Sequence, residues 1–543
     1  MKKSAAWMLV ALASSAAVTA CGSTKGAAAP DTGHLTTTTA AAVADAGDVT
    51  WALNYEPQSI DPIHAYAESE SAVGANLCEA LIHVNPDLTT SPGLATPSRP
   101  DPTTFVYDLR SGVKFWDGHP LTADDVVYSL RRNIEADQGS YYADYFRRVK
   151  SIEKTGPMQV TIKLTEPDSL LWQVMGVLGA AVVEKDYAQK AGDRLGTAKG
   201  GLMCTGPYKL DGWQPGSSIR LVRNDAYWNA SARAKNRSIT FRFLSDPSAA
   251  TNALVTGTVD GMYDPPASGL SRLQRSPGTL TLGENTYVHF LLPTESKSVL
   301  RDVDVRKALS MAIDRQAIAK TVYAGTAQPA RTFVTPFSWG PNAQIRKLYE
   351  DGAWRQAGEP KVDLDGAKAL VEKAGASGRS ITIGFPTGGF EEQLMLAVAD
   401  AAKRIGLDVK LHGIAPEAYA NIYFDPKARK GLDAIFGPFS VDSPDPMAFY
   451  LTFLPEIQSV YNYPRYSNAS ASKLLRRAWE TYEPVERARL SVEAEEKIMA
   501  DLPFIPLVIP ATNLYMKKGI TGAVPTYAFM HSAWAAGVGA SGQ

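Results

Sequence analysis

The stretch Val113-Lys114-Phe115-Trp116-Asp117-Gly118, continued by Leu121-Thr122-Ala123-Asp124-Asp125-Val126, carries the reading of the fold. Asp117-Gly118 suits a tight turn. Thr122 predicts a helix cap, with Asp124 and Asp125 in the first turn, where free N–H groups and the helix dipole favour acids. Val126, Val127 and Leu130 then give the helix an apolar stripe. Just upstream, Phe105, Tyr107 and Leu109 alternate with the period of a half-buried strand. Strand, turn and capped helix follow one another, which is the signature of a mixed α/β chain.

The same alternation recurs on both sides. Residues 49–53 read as a strand. Val160, Ile162 and Leu164 alternate, as do Ile239, Phe241 and Phe243, with a helix near 248–255. Residues 302–325 are the clearest helical segment. Val305, Ala308, Leu309, Ala312 and Ile313 fall at the spacing of one buried face, and Asp314 is expected to cap a second helix ending near Gly325. A helix at 366–374, a strand at 381–385, a helix at 391–405 and a strand at 409–411 continue the α/β order. Pro484 opens a last long helix to about Asp501. Pro503 and Pro506 predict that Leu507-Val508-Ile509 lies at a sheet edge or in a linker crossing.

The chain has 543 residues and a formal net charge of −1, so no global field points to nucleic acid. Its length predicts two to four units at roughly 100–200 residues each. Lys2 and Lys3, the apolar run 5–18 and Val18-Thr19-Ala20-Cys21 read as a signal peptide (1–20) ending in a lipobox. Cleavage before Cys21 with lipid on its sulfur is the expectation; an ordinary secretory signal that contains a cysteine is the competing reading. Residues 21–47, rich in Ala, Thr and Gly, read as a flexible tether. No later apolar run approaches a membrane span. Cys78 and Cys204 are the other two cysteines. In an exported protein they can pair as a disulfide, or remain two buried thiols.

Recognisable catalytic motifs are missing. There is no G-x-S-x-G elbow, no P-loop and no H-E-x-x-H. Seven histidines are scattered without ligand spacing, so no metal and no cofactor is expected. Aromatic residues in loop contexts stand out instead. These are Tyr141, Tyr142 and Tyr145; Trp213, Tyr227 and Trp228; and Phe436, Phe439, Phe449 and Tyr450 around Asp442 and Asp445. They suit a groove for an amphipathic ligand, or ordinary core packing.

With these motifs in view, the chain resembles the extracytoplasmic solute-binding proteins of oligopeptide, dipeptide and nickel importers, family 5. Glu56-Pro57-Gln58-Ser59-Ile60-Asp61-Pro62 resembles that family's opening signature. The 113–126 stretch resembles its most specific motif. Thr205-Gly206-Pro207-Tyr208 with 223–228, Val305-Arg306-Lys307-Ala308-Leu309 with 312–315, and Asp442-Ser443-Pro444-Asp445-Pro446 follow in family order. The resemblance implies a two-lobed periplasmic-binding-protein-like fold (type II, cluster C) with a subdomain inserted in the first lobe. Residues 48–77, 200–285 and 511–543 would form lobe I, 78–199 the insert, and 286–510 lobe II.

The resemblance also implies a non-enzyme that captures peptides between its lobes. It would deliver them to an ABC permease with its ATPase subunits, as a monomer on the outer face of the cell membrane. Asp442 would hold the peptide ammonium; the alternative is that it caps a turn before Pro444. Phe439, Tyr66, Tyr142, Tyr287 and His289 match cleft-lining positions by the same resemblance. The family often has Trp where Phe439 stands and Tyr where Ser443 stands. That departure keeps a nickel chelate, an oligosaccharide or another small organic solute in view. A secreted hydrolase on an unrelated site is the reading from another class.

Overall fold

The computed structural model describes residues 35–442, 445–457 and 462–542. The expected signal peptide and the expected lipid site Cys21 lie outside the described residues. Thr122 stands at the expected cap: its N–H and its hydroxyl both donate to Asp125 Oδ2, at 2.9 and 2.6 Å, and helix Ala123–Arg131 follows. Losing such a cap costs ~1 kcal/mol. Gly118 has φ +97°, a left-handed backbone that side chains rarely adopt, which is why glycine follows Asp117 at this turn. Phe105, Tyr107 and Leu109 are all buried in strand Thr104–Leu109. That strand lies in a four-stranded sheet between Ala95–Asp101 and Gln159–Leu164, with Val149–Gly156 beyond. The sheet packs its own core, with Phe105, Tyr107, Phe146 and Ile162 at the centre.

Two larger sheets carry the lobes. The first runs Thr279–Gly283, Thr512–Met516, Gly261–Tyr263, Asp48–Leu53, Ser238–Phe243, Ser218–Arg223, Tyr208–Gln214. Asp48–Leu53 is parallel to both neighbours; the rest of the sheet is antiparallel. The second runs Ala327–Pro329, Ile505–Pro510, Val288–Pro293, Ala434–Phe439, Ser380–Pro386, Asp408–Ile414. Each has a core of its own, one around Trp51, Phe241 and Trp534, the other around Phe290, Phe333 and Phe449. The chain passes between these sheets after Gly283 and again at Ala511. The two passes lie side by side, since Thr512 Oγ1 donates to the Glu284 carbonyl at 3.2 Å. Two adjacent crossings of backbone are the arrangement about which two bodies can turn as on a hinge.

Two expectations are corrected. Ile505–Pro510 is an inner strand, paired on both sides. Pro506 is tolerated because it sits at a bulge opposite His289 and Phe290, and because the neighbour Ala327–Pro329 reaches only Val508. Residues 36–44 of the expected tether 21–47 are also bound to lobe I. Thr36 N–H donates to the Leu282 carbonyl at 3.0 Å, Val43 N–H to Ala540 at 2.9 Å, and Lys235 Nζ to the Ala42 carbonyl at 2.7 Å. Backbone bonds hold this segment on lobe I without large apolar side chains, and the composition argument weighed only the latter.

Cys78 and Cys204 are joined by a disulfide, with Cα atoms 5.0 Å apart. Beside it the half-buried Glu79 carboxylate accepts from Thr205 Oγ1 (2.7 Å), Tyr227 OH (2.7 Å) and Trp228 Nε1 (2.9 Å). Two of the stretches behind the family resemblance therefore meet at one carboxylate, which pins the base of the insert.

In lobe II, Glu495 on helix Pro484–Asp501 is 1% exposed and accepts from Tyr450 OH. Burial pushes its carboxyl up to about 8. The folded chain thus holds a proton that the unfolded chain releases above the ordinary value of 4.5. Its contribution to stability should be full below that value and fall as pH rises towards 8. Glu495→Gln is expected to flatten this slope in urea titrations at pH 5 and pH 8; an unchanged slope would assign it to another group.

Candidate functional site

Strand Ala434–Phe439 of lobe II leads through Ser440 and the buried Val441 to Asp442. Three donors converge on its carboxylate. Tyr145 OH, from the insert, donates to Oδ2 at 2.8 Å. Tyr527 OH, from the C-terminal part of lobe I, donates to Oδ1 at 2.7 Å. His531 Nε2 reaches the same oxygen at 3.3 Å. Ser440 Oγ lies 3.0 Å from Tyr527 OH and donates to it, because the phenol proton is already given to Asp442. His531 Nδ1 accepts the Leu178 N–H at 3.3 Å. The Nε2 atom therefore carries the proton that faces Asp442.

Burial pushes the Asp442 carboxyl up. The bonds from His531, Tyr527 and Tyr145 outweigh that and hold it below the usual carboxylate value of 3.8. It is ionised at neutral pH and its side chain is 19% exposed. A partly desolvated carboxylate between two hinged bodies can accept an ammonium or guanidinium. At 4 Å such a pair gains ~4 kcal/mol at an effective dielectric near 20, against ~1 in water. Asp445 differs: Arg487 Nε takes its carboxylate at 2.6 Å, and it serves the core of lobe II.

The other expected residues divide. Tyr287 packs edge-on against Tyr527, with ring centres 5.4 Å apart, so it joins the Asp442 group. Tyr66 is exposed, and its ring lies 4.0 Å from Tyr141, which in turn faces Phe424 of lobe II at 6.4 Å. Phe439 packs edge-on against Phe449 at 4.6 Å. Tyr142 is buried and donates to the Ala65 carbonyl at 2.8 Å, holding insert to lobe I. His289 is buried in an aromatic pocket of lobe II, with Nδ1 2.6 Å from Tyr323 OH and Phe390 stacked on it. Burial pushes its ring down to about 3, so it stays neutral.

Sequence reasoning passed over Tyr145, Tyr527 and His531. Tyr145 belonged to a visible loop cluster, but Tyr142 was chosen from it. Tyr527 and His531 are four residues apart around the short helical turn Tyr527–Met530, and no motif marks them.

Other features do not reach this site. Asp117, His119 and Glu184 are the group among the described residues with ligand atoms close enough for a metal. Asp117 and His119 lie on the insert's surface turn and Glu184 caps the helix Lys185–Ala191 beside it, and His119 Nδ1 is already 2.8 Å from Asp117. A cavity of about 600 Å³ opens on lobe II between residues 423–429 and 462–467; none of the residues touching Asp442 lines it.

The sequence model of the bacterial extracellular solute-binding proteins, family 5, matches residues 84–459. The chain belongs to that family. Among curated relatives of this family 5 protein, the periplasmic oligopeptide-binding protein OppA of Salmonella typhimurium is 25% identical, over 86% of this chain and 88% of that protein. Among solved structures, the periplasmic binding protein DppA of Helicobacter pylori, in complex with the peptide STSA, superposes with a TM-score of 0.78 at 22% identity. It covers 92% of this chain and 98% of that one. The binding protein AgaA of A. tumefaciens R10, in complex with agropinic acid, gives 0.77 at 22% identity, covering 91% and 99%. These superpositions establish the two-lobed family 5 fold.

Proposed function

We propose that this family 5 protein captures peptides with a free amino terminus between its lobes and hands them unchanged to an ABC permease in the membrane. It works outside the cytoplasm as a monomer, held to the membrane by lipid on Cys21. The observation that carries the reading is the ionised Asp442 of lobe II, faced by hydroxyl and imidazole groups of lobe I and the insert. An ammonium entering there gains a desolvated counter-charge, and closure of the opposite wall shields it. Main-chain bonds to an extended peptide would add affinity without side-chain selection. The name of OppA and the peptide held by DppA support the ligand class. The relative and the two solved neighbours named above are binding proteins, which supports a carrier over a hydrolase.

A second reading keeps the mechanism and changes the solute to a small non-peptide organic. It is favoured by Phe439, where the resemblance expects Trp, and by the agropinic acid in AgaA. Calorimetry with a tripeptide and its N-acetylated form separates the two. The first reading expects acetylation to weaken binding about 100-fold, the loss of ~2.7 kcal/mol. Equal affinity for both forms removes the amino terminus from the site.

A further inference from the structure

The insert meets lobe II at a second place, apart from Asp442. Helix Ala469–Glu480 of lobe II ends there, and the carbonyls of a helix's last turn lack helical partners. The insert supplies donors. Ser169 N–H reaches the Trp479 carbonyl at 2.9 Å, and Ser169 Oγ the Ala478 carbonyl at 3.4 Å. Tyr482, just past the helix, accepts the Asp168 N–H at 3.0 Å and donates to the Pro102 carbonyl at 2.7 Å.

Each body also lends the other a side chain. Leu170 of the insert is 4% exposed and belongs to the core of lobe II. Asp168 Oδ1 accepts the Leu170 and Leu171 N–H groups, at 2.9 and 3.1 Å, and so fixes the turn that presents Leu170. In return, Tyr482 of lobe II packs on the insert's core, its ring 6.2 Å from that of Phe105. Two guanidinium groups of the insert complete the joint. Arg148 lies 3.5 Å over the Trp479 ring, and Arg99 3.5 Å over that of Tyr482. Arg148 is buried here, and a desolvated stack of this kind is stronger than an exposed one.

The insert is fixed to lobe I. The disulfide Cys78–Cys204 and the buried Arg132–Asp61 pair, Nη1 to Oδ1 at 2.9 Å, tie the two together. A swing of lobe II about the crossings at Glu284 and Ala511 therefore has to draw Leu170 out of the lobe II core and unstack both arginines. Asp442 takes its donors from Tyr145, Tyr527 and His531, none of which belongs to this joint, so a solute is not needed to form it.

We propose that the insert is a latch: Leu170, Arg148 and Arg99 hold lobe II closed on lobe I without help from a solute, and so set affinity from outside the cleft. These are positioning residues, because they act through the fraction of molecules that is closed. The apparent dissociation constant scales with that fraction, by the same factor for every solute. The proposal rests on capture between the lobes and not on the peptide reading.

The test compares wild type with a Leu170→Ala, Arg148→Gln double variant. Small-angle scattering in buffer alone is expected to find wild type as compact as it is with Ala-Ala-Ala, and the variant larger. Calorimetry with Ala-Ala-Ala and with Ala-Trp-Ala should show the variant weakened about 10-fold or more, equally for both peptides. Residues that only support the fold would lower the urea midpoint and move neither reading. Should the double variant not fold, Arg99→Gln, at an exposed position, repeats the test with an expected loss of about 2- to 5-fold. A wild type that contracts on adding peptide, a variant as compact as wild type in buffer, or losses that are absent or unequal overturn the latch. If the variant expands in buffer while neither protein binds peptide, the latch stands and the peptide reading falls.

Discussion

Replacing Asp442 by asparagine is expected to weaken peptide binding about 100-fold or more while leaving the protein folded. The exchange keeps size and removes charge. The amide oxygen can still accept from one tyrosine, and the amide NH₂ can donate to the other phenol oxygen once that hydroxyl turns. Lobe contacts are therefore retained to within ~1 kcal/mol. The entering ammonium loses its counter-charge, and a neutral amide in a partly desolvated cleft does not replace it. Calorimetry gives the affinity and urea unfolding gives the stability. Wild-type affinity in the variant would remove Asp442 from the site. The pH dependence follows from the same group: its carboxyl titrates below 3.8, so ammonium binding should hold from neutral pH down to the ordinary carboxylate range and fade only below it.

The second large effect belongs to the disulfide. Cys78 and Cys204 close a loop of sequence separation 126, which spans the whole insert. Restricting an unfolded loop of that length is worth about 4–5 kcal/mol in the chain-entropy account. Changing both cysteines to serine should lower the unfolding free energy by up to that amount, and dithiothreitol should do the same to the wild type. Glu79, bonded next door to Thr205, Tyr227 and Trp228, keeps the insert's base ordered in the native state, so the loss should appear mainly as a changed denaturant midpoint. A double variant as stable as its parent would mean that the bond adds nothing to the fold.

The fold class was legible because local signals agreed. Alternation at 105–109 and the Thr122 cap described their elements almost to the residue, and Asp314 does accept the Ala317 N–H at 2.9 Å to start a second helix. Where sequence reasoning failed, tertiary context decided. The prolines around Leu507 argued against an inner strand, yet a bulge and a three-residue neighbour made room for one. The site was half legible. Asp442 stood in a motif, but its partners Tyr145, Tyr527 and His531 come from places 297, 85 and 89 residues away in sequence. Nothing in local pattern announces a hydroxyl that serves another lobe.

The stitching of residues 36–44 onto lobe I has a mechanical consequence. Both termini of the described chain are knotted into the same body, where Ala44 meets Ala540. Tension applied at the N-terminal end is borne by the backbone bonds to Leu282 and Ala540 and by the Thr39 hydroxyl bond to the Ala523 carbonyl, all on one body. Thr36 also accepts the N–H of Glu284 at the first crossing, at 3.2 Å, so a pull on the leading end reaches the joint on which the opposite half swings.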